Sequence, residues 1–151
     1  MERLDSSEPS VAELLSVDRE YRRKARAGAL PCIAPRRFNP SQEAWLPILH
    51  TERNGRPYTA LFSNTERAHR LGRTRDWVVL YFEVGRDKHQ CTVVTEYQIP
   101  LRGRRVVRGR ELECAEFYGV AIEPEGEVLW FEPVRSGEEK TASFTRAGHE
   151  F

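Results

Sequence analysis

The sequence predicts an α+β fold: a mainly antiparallel sheet of five to seven strands, with an N-terminal helix and two shorter helices packed against it. Three observations predict it. Apolar residues at helical spacing follow a capping pattern near the start. Asn54-Gly55 sits between two apolar-rich runs, the signal of a two-residue hairpin. The apolar stretch "RDWVVLYFEV" at 75–84 is followed at once by a turn and a second strand-like run. The 151 residues suffice for one domain with its own core. We expect residues 1–9 to be disordered, 10–135 to form the domain and 136–151 to be a loose polar tail.

Ser10 to Glu13 ("SVAE") reads as a capping box, the serine hydroxyl accepting from an early backbone N–H while the glutamate reaches back. Val11, Leu14, Leu15 and Tyr21 continue the helix and Gly28 supplies its stop, giving about 11–27. Basic residues crowd its last turns ("REYRRKARAG"), where the helix dipole alone favours them. Pro31, Pro35 and Pro40 then make an extended connector that ends at Trp45.

The Asn54-Gly55 turn fixes a register. Arg53 pairs with Arg56, Glu52 with Pro57, Thr51 with Tyr58 and His50 with Thr59. Pro57 falls at a non-hydrogen-bonded pair, which marks an edge at that end of its strand. Ser63 to Glu66 ("SNTE") reads as a second capping box, opening a short helix that Gly72 closes. Residues 75–84 are apolar on both faces and read as a central, doubly buried strand. "GRDKH" turns the chain, and 90–97 return antiparallel. Val106 and Val107 make a short strand, and "RELECAEFYG" a helix closed by Gly119. "VAIEP" and "EVLWFEPV" around Glu125-Gly126 suggest a last hairpin.

Composition narrows the function. No apolar run approaches the roughly eighteen residues of a membrane span, and the acidic, polar start "MERLDSSEPS" is unlike a signal peptide. Cys32, Cys91 and Cys114 are widely spaced and form no C-x-x-C pair, so neither a zinc site nor a disulfide framework is suggested. A reducing cytoplasm is the simple reading. The net charge of +1 hides an asymmetry: residues 1–110 carry 21 Lys+Arg against 13 Asp+Glu, and 111–151 carry 3 against 10. Arginine supplies 21 of the 24 basic residues. The excess fits a GC-rich genome, but arginine is also the planar, always-charged fork that suits phosphate.

Two stretches concentrate it. "ERAHRLGRTRDW" holds Arg67, Arg70, Arg73 and Arg75, and "LRGRRVVRGRE" holds Arg102, Arg104, Arg105, Arg108 and Arg110. If the two are neighbours on the sheet they form a basic surface that would bind DNA or another polyanion through phosphate contacts. Gly103 and Gly109 would let backbone N–H groups approach a phosphate. Trp45, Tyr58 and Tyr97 are candidate stacking partners. The plainer alternative is that these arginines alternate outward on a solvated strand and pair with the acidic C-terminal third.

Catalytic candidates are weaker. His50 and Glu52 share a strand face and, with His69 and Asp76, could make an acid–base site acting on nucleic acid or nucleotide phosphates. Asp76, Glu83 and Glu96 could hold magnesium, though no spacing selects them over ordinary strand-end acids. Ser63 lacks the glycines of a nucleophile elbow. Cys114 lies among carboxylates that would raise a thiol pKa. Rossmann and Walker glycine loops are absent, and no cofactor or metal is expected.

Three long phrases carry a resemblance. "PSVAELLSVDREYRRKARAGALPCIAPRRFNPSQEAWLPILHTER", "TALFSNTERAHRLGRTRDWVVLYFE" and "QCTVVTEY…PLRGRRVVRGRELEC" resemble the C-terminal domain of bacterial helix-hairpin-helix DNA-binding proteins, which are related to the front half of family X DNA polymerases. The resemblance covers about residues 9 to 118. It implies a DNA-associated accessory module in repair or replication, tethered to a helix-hairpin-helix partner or segment. The positions that match are Arg36, Arg37, His50, Glu52, Arg53, Ser63, Asn64, Arg67, His69, Arg73, Arg75, Asp76, Arg104, Arg105, Arg108 and Arg110. No hairpin of that type precedes residue 10, so the resemblance implies a standalone relative or a fragment, and it leaves 119–151 unexplained. A protein-interaction module, in which the acidic third covers the basic face or a partner or drives self-association, is the remaining expectation.

Overall fold

A computed structural model describes residues 7–121. Six strands form one antiparallel sheet in chain order, β1-β2-β3-β4-β5-β6. They are β1 (Cys32–Ile33), β2 (Leu46–Arg53), β3 (Arg56–Phe62), β4 (Val78–Val84), β5 (Asp87–Thr95) and β6 (Arg105–Val107). Helix α1 (Val11–Arg26) precedes the sheet, α2 (Glu66–Arg70) joins β3 to β4, and α3 (Glu111–Tyr118) follows β6. This is the α+β class expected.

Helix α1 buries Val11, Leu14, Leu15, Val17, Asp18 and Tyr21 against one face of the sheet, whose core residues include Leu49, Ala60, Leu80 and Val93. At about 25 cal/mol per Å² of apolar surface, burial of these side chains is the main force holding helix to sheet. The Tyr21 hydroxyl sits wholly inside, donating to the Pro47 carbonyl at 2.7 Å and accepting from the Phe62 N–H at 2.9 Å. Ser10 caps α1 as expected, its Oγ accepting from the Glu13 N–H at 3.1 Å. Glu13 does not reach back. Its carboxylate takes the Tyr58 hydroxyl and Asn54 Nδ2 instead, pinning the helix start to the β2–β3 turn.

The hairpin register is the one the Asn54-Gly55 turn dictates, from Arg53 opposite Arg56 to His50 opposite Thr59. β3 pairs with β4 only from Thr59 onward, so Pro57 lies at an end where its missing N–H costs little.

Several boundaries differ from expectation. β1 falls within the connector: two residues suffice to pair with Leu46 and Pro47, and the Ile48 N–H reaches the Pro31 carbonyl at 3.0 Å. β4 is central and buried on both faces over Val78–Leu80, but Tyr81 and Glu83 expose the outer face of its second half. Gly85 adopts a left-handed φ of 62°, which lets Gly85 and Arg86 alone make the turn, and β5 therefore starts at Asp87. The cap of α2 is Thr65, whose Oγ1 accepts from the Ala68 N–H at 3.0 Å. Ser63 lies just past β3 instead, its N–H on the Trp77 carbonyl.

Residues 7–9 belong to the stretch expected to be disordered, yet the Ser7 and Pro9 carbonyls accept from Arg56 and Arg110. Gly119 ends α3 in the left-handed conformation, as expected. The hairpin expected around Glu125-Gly126 and the tail from 136 lie outside the described residues. Among those described, no helix is long and apolar enough to cross a membrane.

Candidate nucleic-acid interface

The two arginine stretches do meet. The Arg73 guanidinium lies 4.6 Å from the Tyr97 ring centre, and Arg102 Nε donates to the Tyr97 carbonyl at 3.0 Å. Arg105 Nη1 bonds Asp76 Oδ1 at 2.9 Å. The meeting place is the end of the sheet where β3 leaves, β4 enters and the β5–β6 loop crosses.

The arginines divide into two groups there. Arg105 stands opposite Thr95 on the face that α1 covers, and it points inward. Its Nη2 lies 2.8 Å from Asp18 and its Nη1 2.9 Å from Asp76, with Asp18 fully buried. Arg22 completes the Asp18 site at 3.0 Å. Arg108 is held between Glu96 at 2.9 Å and Glu111 at 2.7 Å, and Arg110 lies 2.6 Å from Glu113. The first two side chains are only 12% and 11% exposed, so they serve the fold. Gly103 and Gly109 have their N–H groups engaged as well, on the Glu96 carbonyl and the Glu111 carboxylate.

The second group faces solvent. Arg75 lies over Trp45 and Phe62, Arg104 over Tyr118 and Arg37 over Phe38, at 4.8–5.5 Å from the ring centres. A guanidinium over a ring face is held there without using its N–H groups, which stay available to an anion. Arg70 reaches Glu66 only at 3.7 Å with both side chains exposed, a contact worth little. Arg67 on α2 is half-buried.

The loops and short helix at this end, residues 34–45, 63–77 and 96–104, hold eight arginines against four carboxylates. Two of the four are turned inward. Asp76 accepts from the Thr95 N–H and Oγ1 and from Arg105. Glu96 accepts from the backbone of Tyr97 and Gln98 and from Arg108. Among the described residues, the charge this end presents to solvent is positive.

Of the expected stacking rings, Tyr97 is 49% exposed and in place, and Trp45 lies half-buried beneath Arg75. Tyr58 is not available: it is 1% exposed, with its hydroxyl on Glu13. Phe38 and Tyr118 were not among the expected rings. Each directly follows or nears an arginine-bearing stretch, but nothing in the local pattern says which ring an arginine will cover.

The catalytic candidates each have a separate neighbour. His50, exposed on the outer face of β2, meets Thr59 Oγ1 at 3.1 Å, and Glu52 is exposed two residues on. His69 bonds Asn64 at 2.6 Å and lies against the Phe38 ring. Asp76 is held by Arg105 and Thr95. Asp76 and Glu83 sit at opposite ends of β4, about 20 Å apart for an extended strand, so they do not converge with Glu96. Among the described residues no three His, Cys, Asp or Glu are grouped to hold a metal.

The thiols are quiet. Burial pushes Cys91 up to about 12. It also raises Cys114, ahead of the nearby carboxylates, against the Val107 N–H that donates to its sulfur. Only Cys32 is exposed.

Comparison with known protein families, curated proteins and solved structures returned no match.

Proposed function

We propose that this chain is a nucleic-acid-binding accessory domain that holds phosphates with the exposed arginines at one end of its sheet. The observation that carries the reading is the division just described. Carboxylates of low exposure neutralise Arg105 and Arg108. Arg37, Arg75 and Arg104, all exposed, and the half-buried Arg73 lie over aromatic rings, with no carboxylate bonded to them among the described residues. A surface of this kind contacts a polyanion through its backbone and releases counterions. The resemblance to the C-terminal domain of bacterial helix-hairpin-helix proteins adds a DNA repair or replication context and a helix-hairpin-helix protein as partner. Three free thiols suit a cytoplasmic setting.

The test is binding of a labelled oligonucleotide across a salt series. Arg73→Glu with Arg102→Glu should weaken it at least tenfold at low salt, and equal binding by wild type and variant would remove the reading.

One observation favours a second role. The Tyr118 hydroxyl bonds the Arg105 carbonyl while its ring carries Arg104, so the end of α3 lies beside the basic end, three residues before the last one described. In this second reading the acidic sequence after 121 acts as a protein-interaction or self-covering segment that competes for the same arginines. Truncation after residue 121 should then tighten oligonucleotide binding, and unchanged affinity counts against this role.

A further inference from the structure

We propose that the arginine–aromatic end takes single-stranded nucleic acid in preference to duplex, stacking unpaired bases on the rings of Tyr97 and Phe38. This rests on the nucleic-acid reading above and goes beyond it by naming the form bound.

The exposed apolar side chains decide the matter. Phe38 is 45% exposed, Leu71 45%, Tyr97 49% and Ile99 77%, and all four lie in the loops of the basic end. A surface that holds duplex by its phosphates alone has no use for them; duplex binders that do use apolar side chains wedge them between base steps and bend the helix. A duplex turns its phosphates outward and keeps its bases stacked inside, so apolar groups on the protein would face charge and groove water. An unpaired strand offers the reverse: each base carries a π-face that gains by covering a ring, and the phosphates lie alongside for the arginines.

The loop that presents Tyr97 and Ile99 is built for exposure. Leu101 is 3% exposed and pins it to the core. The Glu96 carboxylate accepts from the Tyr97 and Gln98 N–H groups, and its carbonyl accepts from Gly103 at 2.8 Å. The ring of Tyr97 is therefore held in place beneath Arg73 before any ligand arrives, which lowers the ordering cost of binding. Phe38 is held likewise, against His69 at 4.8 Å between ring centres and beneath Arg37. His69 and Asn64, bonded to each other beside Phe38, supply polar groups within reach of a base edge.

The elements present also disfavour groove reading. Groove readers insert a helix of several turns or a two-stranded ribbon. The helix at this end, α2, has five residues, and the rest of the surface is loop.

The experiment uses the full chain and two labelled probes, a 15-nucleotide oligodeoxythymidine and a 15-base-pair duplex, in fluorescence anisotropy at one salt concentration. The single strand should bind at least about thirtyfold more tightly, the lower bound of what two stacked bases supply. Tyr97→Ala and Phe38→Ala should each weaken the single strand at least fivefold and the duplex by clearly less, since the duplex loses only the support of Arg73 or Arg37, and Tyr97→Trp should restore binding. Duplex bound as tightly as single strand, or both variants weakening the two probes equally, overturns the preference while leaving nucleic-acid binding intact. Binding of neither probe at low salt removes both readings together. In that event, self-association abolished by Ile99→Asp would identify the patch as a protein interface. The exposed positions of Phe38, Tyr97 and Ile99 make unchanged thermal unfolding the expected control for every variant.

Discussion

Arg104 and Arg105 are adjacent in the chain and have opposite roles. Arg105 enters β6 on the face that α1 covers and is bonded to two aspartates, one of them fully buried. Arg104, one residue earlier, is exposed and lies on the Tyr118 ring. The strand boundary makes the difference: Arg105 opens β6 and turns toward α1, whereas Arg104 ends the preceding loop and turns toward Tyr118 of α3. A run of arginines is therefore not one surface. Part of it is a set of internal counterions that ties α1 and the segment before β4 to β6, and part of it is available to a ligand.

The sharpest way to break that comparison is to remove each arginine in turn. Arg105→Ala strands the buried Asp18 with Arg22 as its remaining ion-pair partner, and should cost about 3 kcal/mol or more in urea or thermal unfolding. Arg104→Ala should change stability by less than about 0.5 kcal/mol. Equal losses would erase the distinction. Next in size is Tyr21→Phe, which leaves the Pro47 carbonyl and the Phe62 N–H without the hydroxyl they share and should cost about 2 kcal/mol.

The hairpin register, α1 and the α+β class were legible because each rests on local chemistry: an Asn-Gly turn, a serine cap and apolar spacing. The inward turn of Arg105 was not, since it depends on Asp18 lying 87 residues away in sequence. Tyr58 illustrates the same limit. Its strand position was right, but its burial follows from α1 crossing the sheet, which no local pattern announces. The cap of α2 was misplaced by two residues because both Ser63 and Thr65 can serve, and only the pairing of Ser63 with Trp77 selects between them. The convergence of the two arginine stretches was a condition the sequence could state and not decide.

Smaller effects sharpen the picture. Only Cys32 is exposed, so a thiol reagent at neutral pH should label one cysteine of three quickly, and Cys91 and Cys114 only on unfolding. Fast labelling of all three would contradict the burial that raises the latter two. Smallest is the acid response of Glu20. Its hydrogen bond from Lys24, aided by Arg53, holds its carboxyl below the ordinary 4.5. A lowered folded-state pKa contributes stability that is present above the unfolded value and lost as pH falls through the folded one. Glu20→Gln should therefore destabilise the protein by under about 1 kcal/mol at pH 7, with the gap closing as the pH falls below 4.5. A gap that persists to the lowest pH would assign the loss to packing instead.

The most direct measurement is the salt dependence of oligonucleotide binding for wild type and for Arg73→Glu with Arg102→Glu, with thermal unfolding of both. Exposed arginines that hold phosphates predict a shallower log–log slope in the variant, by about 1.4 for two lost contacts to a single strand, at an unchanged melting temperature. An unchanged slope and affinity would mean that this end of the sheet does not carry the binding.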